Sequence, residues 1–314
     1  MHVRRVAVIG AGLMGTNIAL DFARAGIEVT ITDRSAEILD RSRATQHTNA
    51  TVLHAAQLTR DPPEVITARI TACSGVPDAV CDADLVVEAI SEDLERKQEL
   101  FGRLAYYSPE HAILASNTSS FTPDDLALRT ARAENVVVTH YFNPAHLVPL
   151  VELVPGSETA PVMVETLRAL YQQIGKQPVV VRRAVPGFIG NRLQFAMLRE
   201  ALALVEAGVA TPEDVDTAVR AGFGRRLPET GIFRTFDLGG LDTIHTICGI
   251  LFPHLDVRTD AGSALTALVE QGRLGAKSGA GWYDYADGEA DAVRARLAAA
   301  LVRAAAQDQE PRAK

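Results

Sequence analysis

Over about the first 180 residues, short runs rich in β-branched residues alternate with stretches of helical spacing. The runs begin at Val6–Ile9, Ile27–Ile31, Leu85–Val87, Ile113–Ala115 and Val136–His140. This pattern predicts a mostly parallel sheet covered by helices on both faces. Between the first two runs, Asn17, Ile18, Phe22 and neighbouring alanines allow a helix that Gly26 ends with a left-handed cap, completing one βαβ unit.

The second half reads differently. Pro186-Gly187 punctuates the chain, after which Phe188, Leu193, Met197, Leu198, Leu202 and Val205 recur at helical spacing until Gly208. Thr211-Pro212-Glu213-Asp214 combines a capping hydroxyl, a proline at the first helical position and acids at the positive end of the helix dipole, so another helix is expected there. After Tyr285, Val293, Leu297 and Leu301 mark an amphipathic helix that ends in a polar tail, Gln307 to Lys314, with a mobile tip expected. The expectation is a doubly wound α/β (Rossmann) domain over residues 1–184 and an all-helical domain over 185–314, with an extension from about residue 286.

Length and composition agree with two ordinary globular domains: 314 residues, 47% of them hydrophobic. Thirty-one Lys+Arg against 39 Asp+Glu give a net charge of −8, which supplies no general field for a phosphate polymer and argues against a nucleic-acid partner. Cys73, Cys81 and Cys248 form neither a CxxC pair nor a disulfide framework, and no metal site is expected. No apolar run approaches the roughly 20 residues of a membrane helix, and the N-terminus lacks a signal-peptide layout, so a soluble cytoplasmic protein with no membrane partner is expected.

Gly10-x-Gly12-x-x-Gly15 follows a strand and opens a helix, the arrangement that lets backbone approach a pyrophosphate closely. Asp33, at the end of the next strand, stands at the separation expected of an acid that accepts from ribose hydroxyls and repels a 2′-phosphate. NAD is therefore expected over NADP, with Arg34 softening the repulsion. His140 closes an apolar strand at the edge where open α/β sheets gather ligands. Twelve residues later Glu152 lies inside Leu150-Val151-Glu152-Leu153-Val154, where a lone carboxylate is costly and needs a partner. A Glu152 that accepts from one imidazole nitrogen fixes the tautomer and makes His140 a general base.

These residues belong to a larger set of strings. Gly-Ala-Gly-Leu-Met-Gly at 10–15, Val-Val-Glu-Ala-Ile at 86–90, Ser-Asn-Thr-Ser-Ser at 116–120, His-Tyr-Phe-Asn-Pro at 140–144, Leu-Val-Pro-Leu-Val-Glu at 147–152, Pro-Gly-Phe-Ile-Gly-Asn-Arg at 186–192 and Lys-Ser-Gly-Ala-Gly-Trp-Tyr at 277–283 resemble the L-3-hydroxyacyl-CoA dehydrogenases, including 3-hydroxybutyryl-CoA dehydrogenase. The resemblance implies NAD-linked interconversion of a short L-3-hydroxyacyl-CoA and its 3-oxo compound in fatty acid metabolism. His140 would be the base, Glu152 its orienting partner, and Ser119 and Asn191 hydrogen-bonders to the reacting oxygen. It further implies cofactor contacts from Gly10, Gly12, Leu13, Met14, Gly15, Asp33, Ala89, Glu92, Lys97, Ser119, Asn143 and Lys277, and a homodimer.

Two departures bear on the substrate. The resemblance implies lysines on the helix after the ribose acid, against coenzyme A phosphates, yet Thr51–Thr59 reads Thr-Val-Leu-His-Ala-Ala-Gln-Leu-Thr with Arg41, Arg43 and Arg60 only flanking it. Pro228-Glu229-Thr230-Gly231-Ile232-Phe233 carries Ile232 where relatives have a proline after the glycine. A carrier-protein-bound acyl group, or a free hydroxy acid of the gulonate or carnitine type, is accordingly an alternative substrate. An NAD-binding structural protein without chemistry is the alternative outside enzymes.

Overall fold

The protein is described over residues 2–309 by a computed structural model. Among these residues the strands are β1 (Arg5–Ile9), β2 (Glu28–Thr32), β3 (Ile70–Cys73), β4 (Leu85–Glu88), β5 (Ile113–Ser116), β6 (Val136–Tyr141), β7 (Leu150–Pro155) and β8 (Gln177–Val180). They form one sheet in the order β3-β2-β1-β4-β5-β6-β7-β8. Neighbours run parallel except β6 and β7, which are antiparallel. The direction of winding reverses between β1 and β4, and the carboxyl ends of the strands there open the crevice in which such sheets take ligands.

Alternation along each strand supplies two cores. Val6 and Val8 of β1 pack with Ile18, Leu20 and Phe22 of the helix Leu13–Arg24 and with Leu167 and Tyr171 of Pro161–Gln173. Ala7 and Ile9 face the other way, onto Leu100, Phe101 and Leu104 of Leu94–Tyr107. The first helix ends at Arg24, and Gly26 turns the chain with φ +86°, as the sequence predicts. Strands β3 and β8 are the two edges, and Pro178 in β8 sits where a missing N–H costs no central ladder bond.

The chain divides into two compact units, one holding residues up to Asn191 together with the stretch from Arg296, the other Arg192–Ala295. The expected division after residue 184 differs from this in two places. The turn at 186–191 stays with the first unit because Phe188 is buried in its core and the Ile189 and Gly190 N–H groups donate to Glu152. The C-terminal helix Glu289–Gln309 returns because Leu301, Val302, Ala305 and Ala306 pack on the first unit's core. The tail tip beyond residue 309 lies outside the described residues.

The second unit is helical. The helix Gly190–Glu206 leads into it, and Pro212–Ala221 follows with the expected cap: Thr211 Oγ1 accepts from Asp214 N while Asp214 accepts from Thr211 N. Arg258 joins Glu206 and Asp256, stapling the loop before the helix Gly262–Glu270 to the end of Gly190–Glu206. Glycine-231 interrupts the helix Leu227–Asp237 at the segment where the proline is replaced. Among the described residues no helix is long and apolar enough to cross a membrane.

Candidate active site

At the end of β1 the glycine turn is assembled by close contacts that side chains would prevent. Gly10 adopts φ +103°, and a Cβ there would lie 2.6 Å from the Ala89 carbonyl oxygen. A Cβ on Gly15 would fall 1.8 Å from the Gly10 oxygen, so this glycine is required by packing within the protein. Gly12 is different: nothing lies within 4 Å of its missing Cβ. Gly12 also caps the helix Leu13–Arg24 with no side-chain acceptor on its first N–H groups. A helix N-terminus facing open space is an anion site. Leu13 and Met14 form the first turn of that helix, Leu13 exposed and Met14 half-buried.

Asp33 follows β2 directly and accepts from Ala11 N at 2.8 Å, tying this carboxylate to the glycine turn. Gly10, Gly12, Asp33, Arg34, Ile38 and Ala89 line one cleft of about 520 Å³ at the switch point. A dinucleotide fits this donor set: amides at a helix end for the pyrophosphate, a carboxylate for the ribose, and apolar walls.

Glu92 and Lys97, which the resemblance implies contact the cofactor, are paired with each other, and Lys97 with Glu88 as well. Lys97 is 1% exposed; its Nζ donates to Glu88 Oε1 at 2.6 Å and pairs with Glu92 Oε2 at 3.2 Å. Burial opposes ionisation of Glu92, but the hydrogen bond from Thr118 and the charge of Lys97 outweigh it and hold the carboxyl below its usual range. Glu88, fully buried, also accepts from Ile90 N at 2.7 Å and Ser116 Oγ at 2.5 Å, so one carboxylate ties the ends of β4 and β5 to the helix Leu94–Tyr107. Sequence reasoning missed Glu88 as a hub, although a carboxylate closing the apolar run Leu85–Glu88 is the same signal that singled out Glu152. Ser119 stands half-buried beyond β5, and Asn143 is exposed just after β6.

His140 and Glu152 are direct cross-strand partners in the β6–β7 register. Their side chains meet on the face that also carries Val138 and Val154, and Nδ1 of His140 lies 2.7 Å from Glu152 Oε2. Both are buried, at 5% and 1% exposure. Glu152 Oε1 accepts from the N–H groups of Ile189 and Gly190, each at 2.9 Å. Burial pushes this carboxyl upward, yet the imidazole and the two amides overcome it and keep Glu152 below the ordinary glutamate value. Phe142 and Phe188 wall the imidazole, with ring centroids 4.7 and 5.7 Å away. Asn191 follows Gly190 immediately, half-buried, whereas Lys277 lies exposed in the second unit on a turn closed by Gly275 N to Ala280 O.

A family model for the NAD-binding domain of 3-hydroxyacyl-CoA dehydrogenase matches residues 5–184, and one for its C-terminal domain matches residues 187–285. The chain belongs to the 3-hydroxyacyl-CoA dehydrogenase family. It is accordingly an NAD-linked oxidoreductase, and NAD is its cofactor. Within the family it is 35% identical to a probable 3-hydroxybutyryl-CoA dehydrogenase of Deinococcus radiodurans, over 90% of this chain and 100% of that protein. It is also 35% identical to the 5-formyl-3-hydroxy-2-methylpyridine 4-carboxylate 5-dehydrogenase of Mesorhizobium japonicum, over 96% of both. A crystal structure of such a 5-dehydrogenase, described as an NAD+-dependent dismutase, superposes with a TM-score of 0.91 at 34% identity, covering 96% of this chain and 97% of that one.

Proposed function

We propose that the protein interconverts a short L-3-hydroxyacyl thioester and its 3-oxo form, with His140 as the base. The observation that carries this reading is the buried His140–Glu152 pair on the sheet that bears the dinucleotide cleft. Glu152 stays ionised and accepts from Nδ1–H, which leaves Nε2 to take the substrate hydroxyl proton; the imidazolium so formed lies against an anion. Bound NAD supplies the acceptor for the hydride leaving the same carbon. Ser119 and Asn191 donate to the reacting oxygen, and Glu92, oriented by Lys97 and Thr118, accepts from the nicotinamide-side ribose. Asp33, Ala89 and the glycine turn hold the adenosine half, and Asn143 lies near both cofactor and substrate.

A second reading, oxidation of a small free acid, is favoured by two observations. No lysine stands in Thr51–Thr59, and the likeness to the pyridine carboxylate dehydrogenase takes in the C-terminal helix, since it spans 96% of this chain. The test is a panel of acetoacetyl-CoA, a carrier-protein thioester, free 3-hydroxybutyrate and 5-formyl-3-hydroxy-2-methylpyridine 4-carboxylate, read by reduced-nicotinamide absorbance. A kcat/KM for the thioester at least about tenfold above the free acids supports the first reading, and the reverse order replaces it with the second. In either case His140→Ala should lower kcat by about 10²–10⁴-fold with NADH affinity kept, because it deletes only the base.

The exposed Phe195, Phe233, Ile250 and Phe252 of the second unit lead us to propose a homodimer in which a second copy covers them. Equilibrium sedimentation of the purified protein tests it. A cytoplasmic location accords with the free thiols Cys73, Cys81 and Cys248.

A further inference from the structure

Phe188 is one of two non-glycine residues given a positive φ among those described, at +46°, and it is almost fully buried. A large aromatic residue is unfavourable there, and such strain persists only where the surroundings enforce it. A glycine would adopt the same backbone freely. The ring must therefore serve a purpose that the turn alone does not.

Its surroundings identify that purpose. The two residues after it, Ile189 and Gly190, aim their N–H groups at Glu152 Oε1, each at 2.9 Å, while Oε2 of the same carboxylate meets His140. The Phe188 ring packs against the imidazole at 5.7 Å and an interplanar angle of 62°, and the Phe142 ring lies at 4.7 Å and 60°. Gly190 admits Phe142, since a Cβ there would lie 2.4 Å from Phe142 Cζ. Phe188 also packs with Val138 and Val154, the same-face neighbours of His140 and Glu152 on their strands. One residue thus controls both ends of the pair: its backbone anchors the carboxylate and its ring limits rotation of the base.

We propose that Phe188 is a positioning residue for proton transfer, its left-handed backbone directing the Ile189 and Gly190 amides onto Glu152 while its ring keeps the His140 imidazole turned toward Glu152, the acceptor that fixes the Nδ1–H tautomer. The kinetic part rests on the dehydrogenase reading above; the tautomer part does not.

The test uses the full chain with Phe188→Gly, which keeps the turn unstrained and deletes the ring, and Phe188→Leu, which restores bulk. Long-range proton–nitrogen NMR of the His140 ring needs no substrate. The wild type should show one tautomer, the glycine variant a mixture, and the leucine variant mainly one. With the substrate identified by the panel, the glycine variant should lose at least about tenfold in kcat with KM and NADH affinity within about twofold, and the leucine variant should recover most of it. Phe188→Ala, read by the same measurements, serves where the glycine variant does not fold. A ring-deleted variant with wild-type kcat and a single tautomer overturns the proposal, as does a loss of kcat matched by loss of NADH binding while the tautomer stays single. Absence of turnover in the wild type would remove the proposed function and leave the tautomer measurement to decide on Phe188.

Discussion

Glu152→Gln keeps the size of the side chain and removes its charge, which makes it the sharpest test of the pair. In the wild type one oxygen accepts from His140 at 2.7 Å and the other from two backbone amides at 2.9 Å. A glutamine offers one accepting oxygen and one donating nitrogen, so one set of contacts fails. With its nitrogen toward the turn, two buried amides lose their acceptor at about 1–3 kcal/mol each. With its oxygen toward the turn those bonds survive, and the amide nitrogen faces His140 instead. The imidazole then accommodates it by moving its own proton to Nε2. This second arrangement is cheaper, and it occupies the nitrogen that has to receive the substrate proton. Exchanging an orienting carboxylate for an amide in this way costs about 10⁴ in kcat in the serine-protease precedent, and about 10³–10⁴, or 4–5.5 kcal/mol of barrier, is expected here. NADH affinity should stay within about twofold and unfolding stability within about 2 kcal/mol, since the turn keeps its acceptor. Steady-state turnover, fluorescence titration of NADH and urea unfolding together check this. A variant within about tenfold of wild-type kcat would refute the base assignment, and one that unfolds would show that the charge, not the tautomer, is what the site needs.

Gly12→Ala should fold with unchanged stability and lose about tenfold or more in NADH affinity, because its Cβ enters space that only a ligand occupies, whereas Gly15→Ala drives a Cβ to 1.8 Å from a backbone oxygen and should cost stability as well. Thermal unfolding with and without NADH separates the two. Asp33→Ala should weaken NAD binding and narrow the preference over NADP, measured as a ratio of kcat/KM values; an unchanged ratio removes the ribose assignment. Stability should fall on acidification in two stages. His146, whose partly buried imidazole is held down to about 4 by burial against the opposing pull of Asp21, binds its proton more weakly folded than unfolded, so stability is complete above about pH 6.5 and declines toward pH 4, by at most about 3 kcal/mol. Glu152, depressed in the folded state, adds a further loss as the pH falls below its unfolded value near 4.5. Urea midpoints between pH 4 and 7 should flatten in His146→Gln, and an equal slope in that variant would exclude this residue as the cause.

Much of this was legible in the chain because single residues carried decisive costs. A carboxylate in Leu-Val-Glu-Leu-Val demands a partner, and the nearest titratable group closing an apolar strand was His140. The glycine spacing, the Thr211 cap and the Gly26 stop are local, and each formed as read. What was not legible depends on where distant elements dock. The resemblance marked Lys97 as a cofactor contact, but its 1% exposure and its ion pair with Glu88 left no trace in the sequence. Its pairing with Glu88 needs the helix cap at Asp93 to start the helix at the right phase. Ile70–Cys73 and Gln177–Val180 are four-residue edge strands without periodicity, so they left no signal. The C-terminal helix was predicted from Val293, Leu297 and Leu301, but the residues that dock it are Leu301, Val302, Ala305 and Ala306. Pro186-Gly187 announced a turn, but nothing in the chain marked that its left-handed backbone continues from Gly187 into Phe188.

The antiparallel step between β6 and β7 is where folding and chemistry depend on the same choice. Because side chains alternate, slipping this pairing by one residue would turn Glu152 to the opposite face, beside Val137 and Tyr141 of β6. A carboxylate stranded there would be buried without His140, Ile189 or Gly190, a cost of several kcal/mol per ion. In the correct register all three donors converge on it. The charge that the proposed mechanism uses to make His140 a base therefore also selects the strand register that presents it, and the Ile189 and Gly190 amides find their acceptor in that register. A buried pair built this way is lost by misfolding before it can be misplaced within an otherwise correct fold.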